Sequence, residues 1–293
     1  MKKIGFIGLG NMGFFMSKNL SLNNYIVSGY DVNQSVFPKL KKFKINQVSS
    51  LSKLSNENDI IITMLPNSVI VEEVWTEILD NVRQNTLIVD CSTIDIETSK
   101  KLHNIAKTKN ISSLDAPVSG GTIGAENGTL TFMVGGDNET YKQITPLFEV
   151  MGNKSILCGP AGSGQATKMC NNLLLAITMS GLGEAIKLAN SQSLDMEKFY
   201  QVLSTSTGSC WALNNYCPIK NIGPTSPADN NFKPGFSSEL MLKDLSLALD
   251  AADHNNLNLY LGKKILGNYE KLVGNQKGHL DFSNIINFYR FML

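Results

Sequence analysis

Lys3-Ile4-Gly5-Phe6-Ile7-Gly8-Leu9-Gly10-Asn11-Met12-Gly13 is an apolar β-type run that ends in a G-x-G-x-x-G and leads into a helical pattern, Phe14 to Leu20. Each glycine has a task in that setting. Gly8 allows the tight turn, Gly10 lets backbone come close to a pyrophosphate, and Gly13 lets the helix pack on the strand. Asn11 and Met12 lie between them, where the helix N-terminus faces phosphate charge. A bare G-x-G-x-x-G is a weak signal, because glycine turns are common. Here a second half follows: the apolar stretch Tyr25 to Tyr30 ends in Asp31, placed where an acidic side chain binds a ribose 2′-hydroxyl. Asp31 would repel a 2′-phosphate, and the neighbours Val32-Asn33-Gln34 lack the arginine that a phosphate wants, so the expected cofactor is NAD and not NADP.

Outward from this stretch, the chain as far as Pro160 alternates short β-type runs with helical patterns, as βαβ units do. Strands are expected at Lys3–Ile7, Tyr25–Tyr30, Ile60–Met64, Leu87–Asp90, Ser113–Ala116, Leu130–Val134 and Ser155–Cys158. Three strand ends carry unusual residues: Met64-Leu65-Pro66, Asp90-Cys91-Ser92-Thr93, and Asp115 through Gly121. In open α/β sheets ligands sit at the carboxyl ends of strands, so these loops should face one crevice. After Gly159–Gly164 the pattern changes. A long helical stretch from Gln165 to about Ser191 precedes helical patterns at Met196–Ser204, Phe236–Asn255, Leu259–Leu272 and Phe282–Leu293, with a proline-bearing irregular loop at Asn214–Lys233. The expected architecture is an α/β Rossmann domain (1–163) followed by an all-α C-terminal domain (164–293) that includes the long connecting helix.

Bulk properties narrow the classes. A chain of 293 residues suggests two domains, and 42% apolar with 17% charged residues describes a folded globular protein. The 26 basic and 25 acidic residues nearly cancel, and the densest basic cluster, Lys39–Lys44, is broken by Phe43 and reads as a solvated helix face. Neither nucleic acid nor an anionic membrane is an expected partner. No stretch reads as long and apolar enough to cross a bilayer. Five scattered cysteines form neither a disulfide framework nor a zinc pattern, and His103, His254 and His279 have no metal-ligand spacing, so a reducing, cytoplasmic setting without a metal is expected. Gly and Asn11 interrupt the N-terminal run, which argues against a signal peptide.

Two segments carry chemistry. In Gly164-Gln165-Ala166-Thr167-Lys168-Met169-Cys170-Asn171-Asn172, Lys168 and Asn172 stand one helical turn apart among largely apolar residues. A partly buried lysine has a lowered proton affinity and can act as a general acid/base; Asn172 can orient it and hold a substrate hydroxyl. From spacing alone, a surface lysine closing a helix turn is the plainer reading. In Asp115-Ala116-Pro117-Val118-Ser119-Gly120-Gly121, the Ser-Gly-Gly end offers unhindered backbone N–H groups and a hydroxyl, a nest suited to a carboxylate; a plain strand exit competes with it. Asn127-Gly128-Thr129 reads as a hairpin-type turn.

With these motifs together, the chain resembles the β-hydroxyacid dehydrogenases over essentially its whole length. The match rests on Gly8–Gly13, on Asp115–Gly121 continuing through Gly124-Ala125 to Gly128-Thr129, on Gly164–Asn172, and on Lys243-Asp244. Finer signs resemble the branch that oxidises 3-hydroxyisobutyrate: Ile62–Pro66, Ser92–Asp95, Leu130–Gly136, Gly208-Ser209-Cys210-Trp211 with Tyr216 and Pro218, and Asn230-Asn231-Phe232 running on to Leu240-Met241. The resemblance implies that Lys168 is catalytic and that Ser119, Gly120, Gly121 and Asn172 bind the hydroxyacid. It implies that Leu65, Pro66, Thr93 and Lys243 touch the cofactor, Lys243 arriving from the second domain. One departure is visible: an asparagine that meets the cofactor in that family is replaced here by Ile70, with a modest loss of affinity at most.

The implied reaction is NAD-dependent oxidation of (S)-3-hydroxyisobutyrate to methylmalonate semialdehyde, in valine breakdown. A reductase of tartronate or succinate semialdehyde would share the core motifs, and a non-catalytic nucleotide-binding interaction protein is the reading from another class. A homodimer or homotetramer is expected, with the long helix at the interface. Cys170 is expected to pack as a small apolar residue, and Trp211 either lines the substrate pocket or fills core.

Overall fold

The opening apolar run is strand β1 (Lys3–Ile7), and the helical pattern behind the glycines is α1 (Gly13–Leu22). The computed structural model describes residues 2–290, with side chains as far as Phe288, so the end of the helical pattern expected at Phe282–Leu293 lies outside the described residues. The other strands are β2 (Ile26–Tyr30), β3 (Asn46–Gln47), β4 (Ile60–Thr63), β5 (Leu87–Asp90), β6 (Ser112–Asp115), β7 (Val118–Ser119), β8 (Leu130–Gly136) and β9 (Gly152–Gly159).

They form one sheet in the order β3-β2-β1-β4-β5-β6-β8-β7, with β9 paired to β8. From β3 to β6 every pairing is parallel, whereas β8 runs antiparallel to both β6 and β7. The parallel strands read as unbroken apolar runs because both sheet faces are covered. Ile60 and Ile62 enter one core with Phe6, Met16, Leu20 and Phe148, while Ile61 enters the other with Ile7, Leu54, Trp75 and Leu102. The helices on these faces are α1, α2 (Leu51–Glu57), α3 (Ser68–Asn81), α4 (Ile96–Thr108), α5 (Gly121–Asn127) and α6 (Asn138–Met151). The chain order reverses between β1 and β4, which is the switch point where a doubly wound sheet binds its ligand.

Beyond β9 comes the 29-residue helix α7 (Ser163–Ser191), then α8 (Met196–Thr205), α9 (Ser238–His254) and α10 (Tyr260–Leu272) among shorter turns. Two compact units result, one running to Lys168 and one starting at Met169, so the division falls inside α7. The second unit has its own apolar core, where Ala176, Met179, Leu182 and Ile186 of α7 meet Leu213, Met241, Leu245, Ile265, Tyr269 and Phe282.

Three expectations need correction. By length and composition alone α7 is apolar enough to cross a bilayer, contrary to the sequence reading; 44% of its most apolar window is buried within the protein. Asn127-Gly128 is no hairpin: Gly128, at φ +65°, ends α5 in the left-handed region before β8 begins, the usual place of a glycine at a helix C-terminus. Cys170 is exposed and does not pack. The basic cluster at Lys39–Lys44 is solvated as expected, its four lysines all exposed.

Candidate functional site

The turn after β1 is dictated by contact. Gly8 has φ +87°, and a Cβ there would stand 2.3 Å from the Met64 carbonyl oxygen at the exit of β4. A Cβ at Gly13 would stand 1.9 Å from the Gly8 carbonyl oxygen. Neither position tolerates a side chain. At Gly10 a Cβ would meet no protein atom within 4 Å. The fold itself does not require that glycine, and approach of a ligand is what it leaves open. Asn67, Asp95 and Asp137 cap α3, α4 and α6 with side-chain oxygens, but Met12 at the start of α1 supplies no side-chain cap. No side chain therefore occupies the first N–H groups of α1, and a helix start left open in this way can take a phosphate.

Asp31 leaves β2 and turns back onto this loop. One carboxylate oxygen accepts from the Leu9 N–H (2.7 Å), and the other from the Asn33 N–H (2.7 Å). Each oxygen retains a lone pair for a ribose hydroxyl. The fingerprint, the uncapped helix start and Asp31 fit a dinucleotide.

The exits of β4 and β5 are knitted by a buried polar chain. Trp75 Nε1 donates to Thr63 Oγ1 (3.2 Å), which donates to Asp90 Oδ1 (2.7 Å); that oxygen also accepts from the Ser92 N–H (3.1 Å), and Ser92 Oγ accepts from the Leu65 N–H (2.8 Å). Burial pushes the Asp90 carboxyl up to about 6, against the lowering effect of these hydrogen bonds. Leu65, Pro66 and Thr93 extend from this network, beyond the carboxyl ends of β4 and β5.

Past β6 the chain runs through β7 to Ser119, Gly120 (φ +133°) and Gly121 (φ +62°). Two successive positive φ values turn the backbone into a cup that side chains with a Cβ rarely adopt. Asp115, fully buried at the end of β6, accepts from the Gly162 N–H (2.7 Å) and the Gln165 N–H (2.9 Å), so it holds the first turn of α7. Tight packing continues there: a Cβ at Gly164 would stand 2.3 Å from the Met133 carbonyl oxygen. Behind Asp115, His103 is buried, with Nδ1 2.7 Å from Ser113 Oγ and Nε2 3.4 Å from Asp115 Oδ1. Gln165, also fully buried, donates from Nε2 to the Ser92 carbonyl (2.8 Å) and accepts at Oε1 from the Ile94 N–H (3.1 Å). Three residues along α7 comes Lys168, only 7% exposed.

Within the second unit, Asn172 is buried and donates from Nδ2 to Asp244 Oδ2, while its Oδ1 accepts from Asn171 Nδ2 (2.9 Å). Lys243 Nζ lies 3.3 Å from Asp244 Oδ1. Asp244 therefore joins two of the expected site residues. Trp211 is half exposed and stacks on Tyr216 at 5.2 Å, so it does not fill core. Ile70 sits on the first turn of α3, where its N–H serves the Asn67 cap (3.0 Å).

Asp115, Gln165 and Asp244 lie inside the sequence motifs, but the sequence reading gave them no role of their own. Their types and positions were visible in sequence; their burial and partners were not, because those come from residues tens of positions away. Among the described residues no cluster of His, Cys, Asp and Glu could hold a metal ion.

Known proteins resemble this chain over nearly its whole length. The family described as the NAD-binding domain of 6-phosphogluconate dehydrogenase matches residues 3–159, and the one described as NAD-binding of NADP-dependent 3-hydroxyisobutyrate dehydrogenase matches 162–289. The mitochondrial 3-hydroxyisobutyrate dehydrogenase of Drosophila melanogaster is 40% identical, covering 96% of this chain and 87% of its own. An NAD-dependent L-serine dehydrogenase of Pseudomonas aeruginosa is 38% identical over 97% of this chain and 96% of its own. A solved structure of Mycobacterium tuberculosis 3-hydroxyisobutyrate dehydrogenase with L-serine superposes with a TM-score of 0.95, at 40% identity and 99% coverage of both chains.

Proposed function

The chain belongs to the 3-hydroxyisobutyrate dehydrogenase family of NAD-binding oxidoreductases, and on that premise we propose that it oxidises (S)-3-hydroxyisobutyrate to methylmalonate semialdehyde with NAD, as a step of valine breakdown. The observation that carries the reading is a lysine only 7% exposed on a helix whose first turn is bound through Asp115 and Gln165 to the carboxyl ends of β6 and β5.

In this reading the cup at Ser119, Gly120 and Gly121 grips the substrate carboxylate through N–H groups and a hydroxyl. Lys168, as a neutral amine, takes the proton of the substrate hydroxyl, and the amide of Asn172, held by Asp244, orients the alcohol oxygen. The bound nicotinamide supplies the acceptor for the hydride that leaves the carbinol carbon. The protein contributes position and the path of the proton, and in the reverse direction Lys168 returns it. Leu65, Pro66, Thr93 and Lys243 are assigned to the cofactor, and the choice of NAD over NADP rests on the Asp31 carboxylate. Five free thiols favour a reducing, cytoplasmic compartment. Assembly into a dimer or tetramer is assigned to α7, along which Leu174 and Leu188 are 61% and 65% exposed.

A second reading, oxidation of L-serine, is favoured by the name of the Pseudomonas relative and by the L-serine in the Mycobacterium structure. L-serine carries the same carboxylate and a hydroxyl on the third carbon. The deciding experiment measures kcat/KM for 3-hydroxyisobutyrate, L-serine and glycerate with NAD and with NADP, and for the tartronate and succinate semialdehydes with the reduced forms of both. The highest value is expected for 3-hydroxyisobutyrate with NAD. Preference for L-serine or a semialdehyde replaces the substrate, preference for NADP refutes the role of Asp31, and no turnover at all leaves a nucleotide-binding interaction protein.

A further inference from the structure

Gln165, in the first turn of α7, is a polar side chain with no exposed surface. A buried carboxamide is costly unless both of its ends are paired. Here both are, and on the same loop: Nε2 donates to the Ser92 carbonyl (2.8 Å) and Oε1 accepts from the Ile94 N–H (3.1 Å). The two backbone partners flank Thr93 on either side. Their identities settle which end of the carboxamide is which, since a carbonyl can only accept and an N–H can only donate. The same residue's own N–H is held by Asp115 at 2.9 Å, so Gln165 is fixed from three directions. Lys168 lies three residues further on, rigidly coupled through helical backbone.

We propose that Gln165 is a positioning residue whose carboxamide, clamped on the backbone on both sides of Thr93, sets the distance between the loop assigned to the cofactor and the amine of Lys168. The inference rests on the proposed roles of Thr93 and Lys168. Hydride and proton leave adjacent atoms of one alcohol, so the groups that receive them must hold one separation; a helix free to slide against the Ser92–Ile94 loop would not keep it. No other amino acid supplies this donor and acceptor at that reach without a proton to lose. Asparagine falls one methylene short, and glutamate when ionised has no donor for the Ser92 carbonyl.

The test compares Gln165→Leu and Gln165→Glu with the wild-type protein in kcat, KM, NAD dissociation constant by calorimetry, and thermal unfolding. Loss of geometry of this kind costs turnover on the order of 10²-fold per ångström, so Gln165→Leu is expected to lose about 10- to 100-fold in kcat while NAD affinity changes far less. A role confined to stability predicts the opposite pattern, a lower Tm with kcat unchanged below it, and that result overturns the proposal. If Gln165→Leu does not fold, Gln165→Glu decides. Its buried carboxyl, when protonated, donates to the Ser92 carbonyl and accepts from the Ile94 N–H, so its kcat relative to wild type should climb as pH falls. A ratio of one at every pH overturns the inference. Wild-type protein with no turnover on any hydroxyacid would instead sink the functional reading, whereas active wild type with indifferent variants sinks this inference alone.

Discussion

A lysine with 7% of its surface exposed, next to a fully buried glutamine and one turn from a buried asparagine, marks the point where the chain departs from ordinary core composition. Long charged side chains are rarely enclosed unless chemistry or pairing retains them. Removing the amine as Lys168→Ala is expected to lower turnover by at least about 10²–10⁴-fold, the range of general acid–base catalysis. NAD binding measured by calorimetry should survive, because Lys168 is not assigned to the dinucleotide. Near-normal turnover in that variant would strip Lys168 of its role. At this scale the sequence named Asp31 from the nucleotide fingerprint, whereas Lys168 and Asn172 stood out from a plain helix turn only through the resemblance of the whole set of motifs to a family. It could not name Asp115, Gln165 and Asp244 as their supports: each of those acts on groups up to 73 positions away, and nothing local distinguishes a buried polar side chain from a solvated one.

The turn between β1 and α1 separates two kinds of glycine, and substitution should separate them too. A methyl at Gly13 would meet the Gly8 carbonyl oxygen at 1.9 Å, a backbone atom that cannot yield without reshaping the loop; a methyl at Gly10 meets nothing within 4 Å. Gly13→Ala is therefore expected to lower the unfolding temperature, whereas Gly10→Ala should keep it and lose NAD affinity, read by thermal scans and calorimetry on both proteins. Undiminished NAD binding in Gly10→Ala would refute close approach of the pyrophosphate there. Elements with their own local signal were legible: the apolar runs of β1, β4 and β5, and the long proline-free stretch of α7. The two-residue strands β3 and β7 were not, since they exist only through pairing with β2 and β8. Asn127-Gly128 misled because its left-handed preference serves a helix end as well as a hairpin.

Across the molecule, the polar chain from Trp75 to Leu65 ties stability to pH through Asp90. Burial lifts its carboxyl from 3.8 in the unfolded chain to about 6. Between those values the folded protein holds a proton that the unfolded chain has released, so unfolding free energy falls as pH rises across that window. The gap of roughly two pH units corresponds to about 3 kcal/mol. Asp90→Asn cannot ionise and keeps an oxygen for Thr63 and Ser92. Its stability relative to wild type, from urea midpoints, should rise from about pH 4 to about pH 6 and then level off; a flat difference would show that Asp90 stays charged in the fold. Lowered carboxyls such as Asp137, where burial is outweighed by hydrogen bonds from Thr140, act in the opposite direction and cancel in this comparison.

The residue order alone determined that this chain has a dinucleotide-binding α/β half and a helical half, and it singled out the side chains proposed to carry the chemistry. Those properties are written in local patterns: glycine spacing, apolar periodicity, an acid after a strand, a lysine in an apolar helix. Only the tertiary structure decided which of the polar residues are enclosed, that β8 turns the far side of the sheet antiparallel, and that one carboxamide brackets Thr93 from the helix bearing Lys168. Burial and cross-strand partners depend on segments far apart in sequence, and no run of neighbouring residues contains that information.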